Sequence, residues 1–234
     1  MQIEISGIQI EIQKKDIKNL HLSVLPPDGK VRISAPMHLS DESMTMFVRT
    51  KIGWIKKQQE KFERQPRQSE REYISGETLY VFGQQYFLRV EYSYKGNSLV
   101  LSGNDAILTV RKESTAKQRE NFVNEWYREQ LKAEIAQLLP KWEKVTGLKC
   151  SSWQTKYMTT RWGTCNTQTK KIWLNLQLAK KPIECLEYVI LHELAHTQVK
   201  NHGVDFVAIM DKYMPYWRDI KKTLNNLKLD YYAE

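Results

Sequence analysis

Cysteine is scarce in this chain: Cys150, Cys165 and Cys185 are the only three. The number is odd and no CxxC pair occurs, so free thiols in a reducing cytoplasm are expected. Long apolar runs are missing too. The densest, Tyr188-Val189-Ile190-Leu191, falls far short of the ~20 residues a membrane-spanning helix needs. The opening MQIEISGIQIEIQ alternates apolar with polar residues, unlike the continuous apolar block of a secretory signal. Neither a Walker loop nor GxGxxG is present, so those routes to ATP or a dinucleotide lack support. Acidic residues are outnumbered, 27 against 36 basic, which leaves a net charge of +9 and favours anionic partners in general. What the chain does have, 41% apolar and 27% charged residues, excludes wholesale disorder and collagen-like or low-complexity architecture. At 234 residues it can bury a core without disulfide staples.

The patterning predicts an α+β chain. Ile3, Ile5, Ile8, Ile10 and Ile12 keep period two on either side of Gly7. LHLSVL and VRISAP flank the turn signal Pro26-Pro27-Asp28-Gly29. A basic helix near 40–65 should start after the N-cap Ser40, with Asp41 and Glu42 at its positive end. Its apolar stripe runs Met44, Val48, Ile52, Ile55, Gln59, Phe62, and Pro66 with the polar residues around it closes the helix. Strands return at LYVFG, YFLRVEY, SLVLSG and AILTV. From Thr115 a long helical pattern follows, kinked or restarted at Pro140 and capped by Gly147. Short strands at SSWQTKYMT and KIWLNL precede a helix with Pro182 at its first position. The expected domains are 1–114, β-rich, and 115–234, catalytic. No internal repeat is visible.

Three of the five histidines fall close together: His192, His196 and His202. The first two enclose Glu193 in HELAH. Helical positions four apart lie on one face, one turn apart, so two imidazoles can grip one metal ion with a carboxylate beside them. At this composition a chance HExxH arises in roughly 1 of 100 such chains. A continued helix would carry His202 ~240° away from His196. For His202 to reach the metal the helix must stop, and Asn201 and Gly203, both tolerant of left-handed backbone, offer the means. Three neutral nitrogen ligands leave a fourth tetrahedral position to water, the mark of a catalytic zinc site with one ion per chain. Zinc lowers the pKa of water toward ~7, and Glu193 is placed as general base. Asp205 is either an orienting partner for a ligand imidazole or a plain surface aspartate. Cys185, two helical turns before His192, is too far to coordinate.

The segments Arg161-Trp162-Gly163-Thr164-Cys165, LNLQLAKKP, YVILHELAH and Asn201-His202-Gly203-x-x-Phe206 together resemble the YgjP-like metal-dependent hydrolases. These are zincin-type proteins, more distantly similar to SprT-like metallopeptidases. The resemblance implies a zincin-like C-terminal domain, with a short sheet over the HExxH helix and zinc held by three histidines. The chain departs from the family in carrying Thr164 for a frequent serine, and Gly203-Val204 where Ser-Lys is common. The HExxHx5H spacing is also that of metzincins, but those need a glycine where Val199 stands, and Met210 and Met214 read as core.

Two features stay open on the residues alone. Arg161 either offers a charge to a substrate carboxylate, phosphate or oxyanion from the end of a strand, or flanks a tight turn at Gly163; Trp162 reads as core. The basic helix is either a solvated face or, with Trp54 to stack, a contact for an anionic or nucleic-acid partner. The expected function is a zinc-dependent hydrolase acting on peptides. The alternatives are a metal-dependent nucleotide pyrophosphatase and a nucleic-acid-binding protein with a structural metal.

Overall fold

The computed structural model describes residues 2–25, 29–64 and 71–227. The expectations for Pro26 to Asp28, for Pro66 and for the side chain of Phe62 lie outside the described residues. The fold is α+β and its described residues divide into two compact units, one within residues 2–64 and one spanning residues 71–227.

The first unit holds β1 (Gln2–Ile5), β2 (Ile8–Lys15), β3 (His21–Leu25), β4 (Lys30–Pro36) and α1 (Asp41–Arg64). Its sheet runs β1-β2-β4-β3, with β2 and β4 parallel and the outer pairs antiparallel. The alternating isoleucines bury one face: Ile5, Ile8, Ile10 and Ile12 join Val31, Ile33 and Ala35 beneath Met44, Val48 and Ile55 of α1. Ser40 caps that helix, accepting from the Ser43 N–H at 3.3 Å. Trp54, Lys56 and Lys57 stand exposed on its other side.

The second unit opens in the same way. Strands β5 (Thr78–Val81), β6 (Gln84–Tyr92), β7 (Ser98–Ser102) and β8 (Asp105–Val110) are followed by α2 (Ala116–Thr146). Their order is β5-β6-β8-β7, again with a parallel central pair and antiparallel outer pairs. The first turn matches too: Ser6 and Gly7 have φ of 53° and 77°, Phe82 and Gly83 have 44° and 85°. Two successive positive φ values make the turn that follows the natural twist of a hairpin. The distance in sequence from Gly7 to the cap Ser40 differs by one residue from that between Gly83 and the cap Thr115. A ββββα unit is therefore present twice, where the sequence showed no repeat. The two copies share turn geometry and pairing, not side chains.

Thr115 and Gln118 close α2 with a capping box, and Gly147 ends it in left-handed conformation at φ 74°. Pro140 neither breaks nor restarts α2. Buried Leu139 and Trp142 hold the turn on either side, and tertiary packing outweighs the one missing backbone donor. Sheet β5–β8 buries Leu79, Leu88, Leu108 and Val110 in one core with Val123, Tyr127 and Leu131 of α2 and the helices that follow. The division near residue 114 is thus corrected to one after Ser69: the strands before 114 and the helix after it share a single hydrophobic cluster.

Beyond α2 come β9 (Ser152–Lys156), β10 (Gly163–Asn166), β11 (Lys171–Asn175), a short 3-10 turn (Leu176–Lys180), α3 (Ile183–Ala195), α4 (Val204–Tyr213) and α5 (Trp217–Asn226). Pro182 sits just ahead of α3 rather than in its first position. The β5–β6 turn is fastened to this entry. The Phe82 N–H donates to the Ala179 carbonyl at 2.8 Å, and a Cβ on Gly83 would lie 2.9 Å from Pro182 Cγ. Gly103 has positive φ as well, at 56°, but nothing lies near its would-be Cβ. Gly83→Ala should therefore cost about 1–3 kcal/mol more than Gly103→Ala, the first adding a clash to the backbone strain both share. Denaturant melts of the two variants measure the difference.

Candidate metal centre

Helix α3 is apolar nearly all round, with Cys185, Leu186, Val189, Ile190, Leu191, Leu194 and Ala195 buried. The HELAH segment occupies its last turn. The helix ends at Ala195, with His196 as the C-cap. Its end is tightened by Thr197 N–H to Leu194 O (2.9 Å), Thr197 Oγ1 to Leu194 O (2.7 Å) and Val199 N–H to Ala195 O (3.0 Å). The predicted stop before His202 is present, but not by the predicted means. Gly203 has φ −78° and Asn201 is not among the residues of positive φ. The bonds after Leu194 and Ala195 turn the chain instead.

The turn brings His202 back to the helix. Its Nε2 lies 3.1 Å from Nε2 of His192 and 3.1 Å from Nε2 of His196. Nδ1 of His196 donates to the Val199 carbonyl at 2.9 Å. A carbonyl only accepts, so that ring carries its proton on Nδ1 and turns its Nε2 lone pair inward. Nδ1 of His192 faces the Tyr188 hydroxyl at 3.4 Å. Phe206, from the first turns of α4, packs against all three imidazoles at centroid distances of 4.8, 5.1 and 4.7 Å. Nitrogen ligands ~2.0–2.1 Å from a tetrahedral zinc lie about 3.3 Å apart, close to the two distances from His202, and the ligand atoms of all three residues lie within 4.8 Å of one another, so they could hold one ion. Among the described residues they form the group able to hold a metal; Cys165 and Cys185 are not in it. Asp205 is exposed at the start of α4, and the two Nδ1 contacts go to Val199 and Tyr188.

Glu193 lies on the same turn and is 4% exposed. Burial pushes its carboxyl up to about 8, against the pull of the Arg161 charge. Burial, then His196, His202 and Lys221, hold His192 down at about 3. Both histidine and glutamate are thus neutral near pH 7 before a cation arrives, the form in which imidazole binds metal.

The sheet above α3 has the order β10-β11-β9, with β10 at its edge. Gly163 begins β10; it is neither the end of a strand nor a tight turn. A Cβ there would meet Glu193 Oε1 at 2.6 Å, Glu193 Cγ at 2.8 Å and Val189 Cγ1 at 2.9 Å. The strand can approach the helix only without a side chain. Asn175, a buried residue that sequence reasoning passed over, fixes the loop leading into β10. Its Nδ2 donates to the carbonyls of Met158 (2.8 Å) and Arg161 (2.7 Å), and its Oδ1 accepts from Met158 N–H (3.3 Å). Its place in LNLQ was the one signal: an asparagine between leucines in a strand. Trp162 packs partly buried against the core, and Met210 and Met214 are core residues, as expected. Arg161 is exposed and, with Gly163, Thr164, Cys165, Tyr188 and the metal-binding group, lines a cavity of about 490 Å³.

Three converging imidazoles that could hold a metal ion thus stand beside a buried carboxylate. Residues 18–227 match the family model described as YgjP-like, metallopeptidase domain. The chain belongs to the YgjP-like family. No curated protein matches it. Among solved structures it is similar to the metallopeptidase zymogen of Methanocaldococcus jannaschii jannalysin, with 25% identity over 38% of this chain and 92% of that one, at a TM-score of 0.35. It is also similar to the metallopeptidase zymogen of Pyrococcus abyssi abylysin, with 18% identity over 38% and 90%, at 0.36.

Two outcomes follow from this packing. In Gly163→Ala the Glu193 carboxylate yields more readily than Val189, so stability should fall by only ~1–2 kcal/mol while hydrolysis falls at least about tenfold. Denaturant melts and rates on one preparation separate the two effects. In metal-free protein Glu193 is raised from an ordinary 4.5 to about 8. Between those values the folded Glu193 keeps a proton that the unfolded one has lost, so this residue's contribution to stability is lost as pH rises through the window. Glu193→Gln removes that loss. Its Tm advantage over the parent should be small at pH 5 and grow to several degrees by pH 9.

Proposed function

We propose that this chain is a zinc-dependent peptidase. His192, His196 and His202 hold one ion, and Glu193 is the general base. The observation that carries the choice of peptide is the position of β10, an edge strand along the same cavity as the three imidazoles. Its outward N–H and C=O groups are not used by β11, and an extended peptide can pair with them as an added strand. The all-imidazole donor set suits zinc among the divalent ions. Bound there, zinc supplies Lewis acidity: it lowers the pKa of water and polarises the scissile carbonyl.

The remaining work belongs to the chain's own groups. Glu193 takes the proton from the attacking water and passes it to the leaving amine. Burial raises its proton affinity, and the positive charge of a bound cation would favour the ionised form that takes the proton. Gly163 lets the substrate-bearing strand lie within reach of that carboxylate. Arg161, held by the Asn175 bond to its carbonyl, presents a charge to the substrate or developing oxyanion. The three cysteines are unpaired, which suits a reducing cytoplasm. Among the described residues no helix is long and apolar enough to cross a membrane.

Glu193→Gln should retain one zinc per chain by elemental analysis and lose peptide hydrolysis by about 10²–10⁴-fold. Undiminished turnover in that variant removes Glu193 from the mechanism.

A further inference from the structure

The walls of the cavity carry three cationic side chains from three different segments. Arg161 precedes β10, Lys200 lies in the turn between His196 and His202, and Lys221 projects from α5. Against them the lining offers one carboxylate, Glu193, which is committed to the proton. All three cations are exposed, and among the described residues none forms an ion pair. Cations left without counterions around a site that also gathers a divalent ion repel one another, and a ligand that brings negative charge relieves this.

We propose that the cavity selects peptides carrying a carboxylate next to the scissile bond. This rests on the peptidase reading above and names its substrate class. Strand addition along β10 supplies affinity through the backbone and carries no sequence information. Lys200 and Lys221, which line the same cavity, supply the selection. Lys221 is the better placed, since its charge already reaches His192 and His202. The carboxylate comes either from an Asp or Glu side chain or from the C-terminus of a peptide.

Binding separates these without turnover. Zinc-loaded Glu193→Gln protein is titrated into four fluorescent peptides of one length: a central Glu-Glu with an amidated end, the matched Gln-Gln, the matched Lys-Lys, and Gln-Gln with a free C-terminus. The Glu-Glu or the free-ended peptide should bind at least about tenfold more tightly than amidated Gln-Gln, and Lys-Lys more weakly still. Which of the two gains identifies the source of the carboxylate. The advantage should shrink steeply with added salt. It should fall in Lys221→Gln and reverse toward Lys-Lys in Lys221→Glu, both at exposed helical positions that leave folding intact. Equal affinity for all four peptides overturns the proposal and leaves a peptidase without charge preference. Absence of binding by every peptide, with tight binding of a nucleoside triphosphate, overturns both this inference and the peptidase reading.

Discussion

Three imidazole nitrogens are gathered at one point, and the fold holds them there. The Nε2 atoms of His192 and His196 each stand 3.1 Å from that of His202. The inward lone pair of His196 is enforced by the Val199 carbonyl behind it. A cation held by all three rings would tie these segments together, so that metal binding would add to the stability of the fold. Phe206 prevents an easier escape. It packs on all three rings, so none can swing away from the others without opening an apolar contact.

The surrounding elements serve this arrangement at increasing distance. Helix α3 is fixed by its own buried surface and, at its entry, by the β5–β6 turn resting on Ala179 and Pro182. Tyr127 of α2 donates to the Tyr80 carbonyl at 2.8 Å and ties the long helix to that same sheet. On the other side Asn175 spends its side-chain amide on the loop before β10. These are satisfied buried polar contacts, which cost little to keep and much to break. They place Glu193 within a side chain's width of the edge strand.

The meeting of the three histidines was legible in the sequence, the architecture less so. HELAH announces its geometry because helical spacing alone puts His192 and His196 on one face, and the position of His202 demanded a break that the structure contains. The device of the break was not legible. Asn201 and Gly203 permit left-handed backbone without requiring it, and hydrogen bonds from Thr197 and Val199 sufficed. Gly163 could be read only as a flexible residue, because its need to lack a side chain arises from Glu193, thirty residues later and touching it only in the fold. The boundary near 114 failed for a similar reason. A change from strand to helix marks a change of local pattern, whereas a domain is defined by which side chains share a core. The duplicated ββββα unit left no residue-level trace, since turn geometry and strand order tolerate wide changes in side chains.

The three histidines differ in their access to solvent. His196 is 9% exposed at the helix end, whereas His202 is exposed and belongs to an irregular segment. An ion held by all three would be exchanged most easily at His202: displacing that one surface ring would open the site while the two rings of the helix end stay seated.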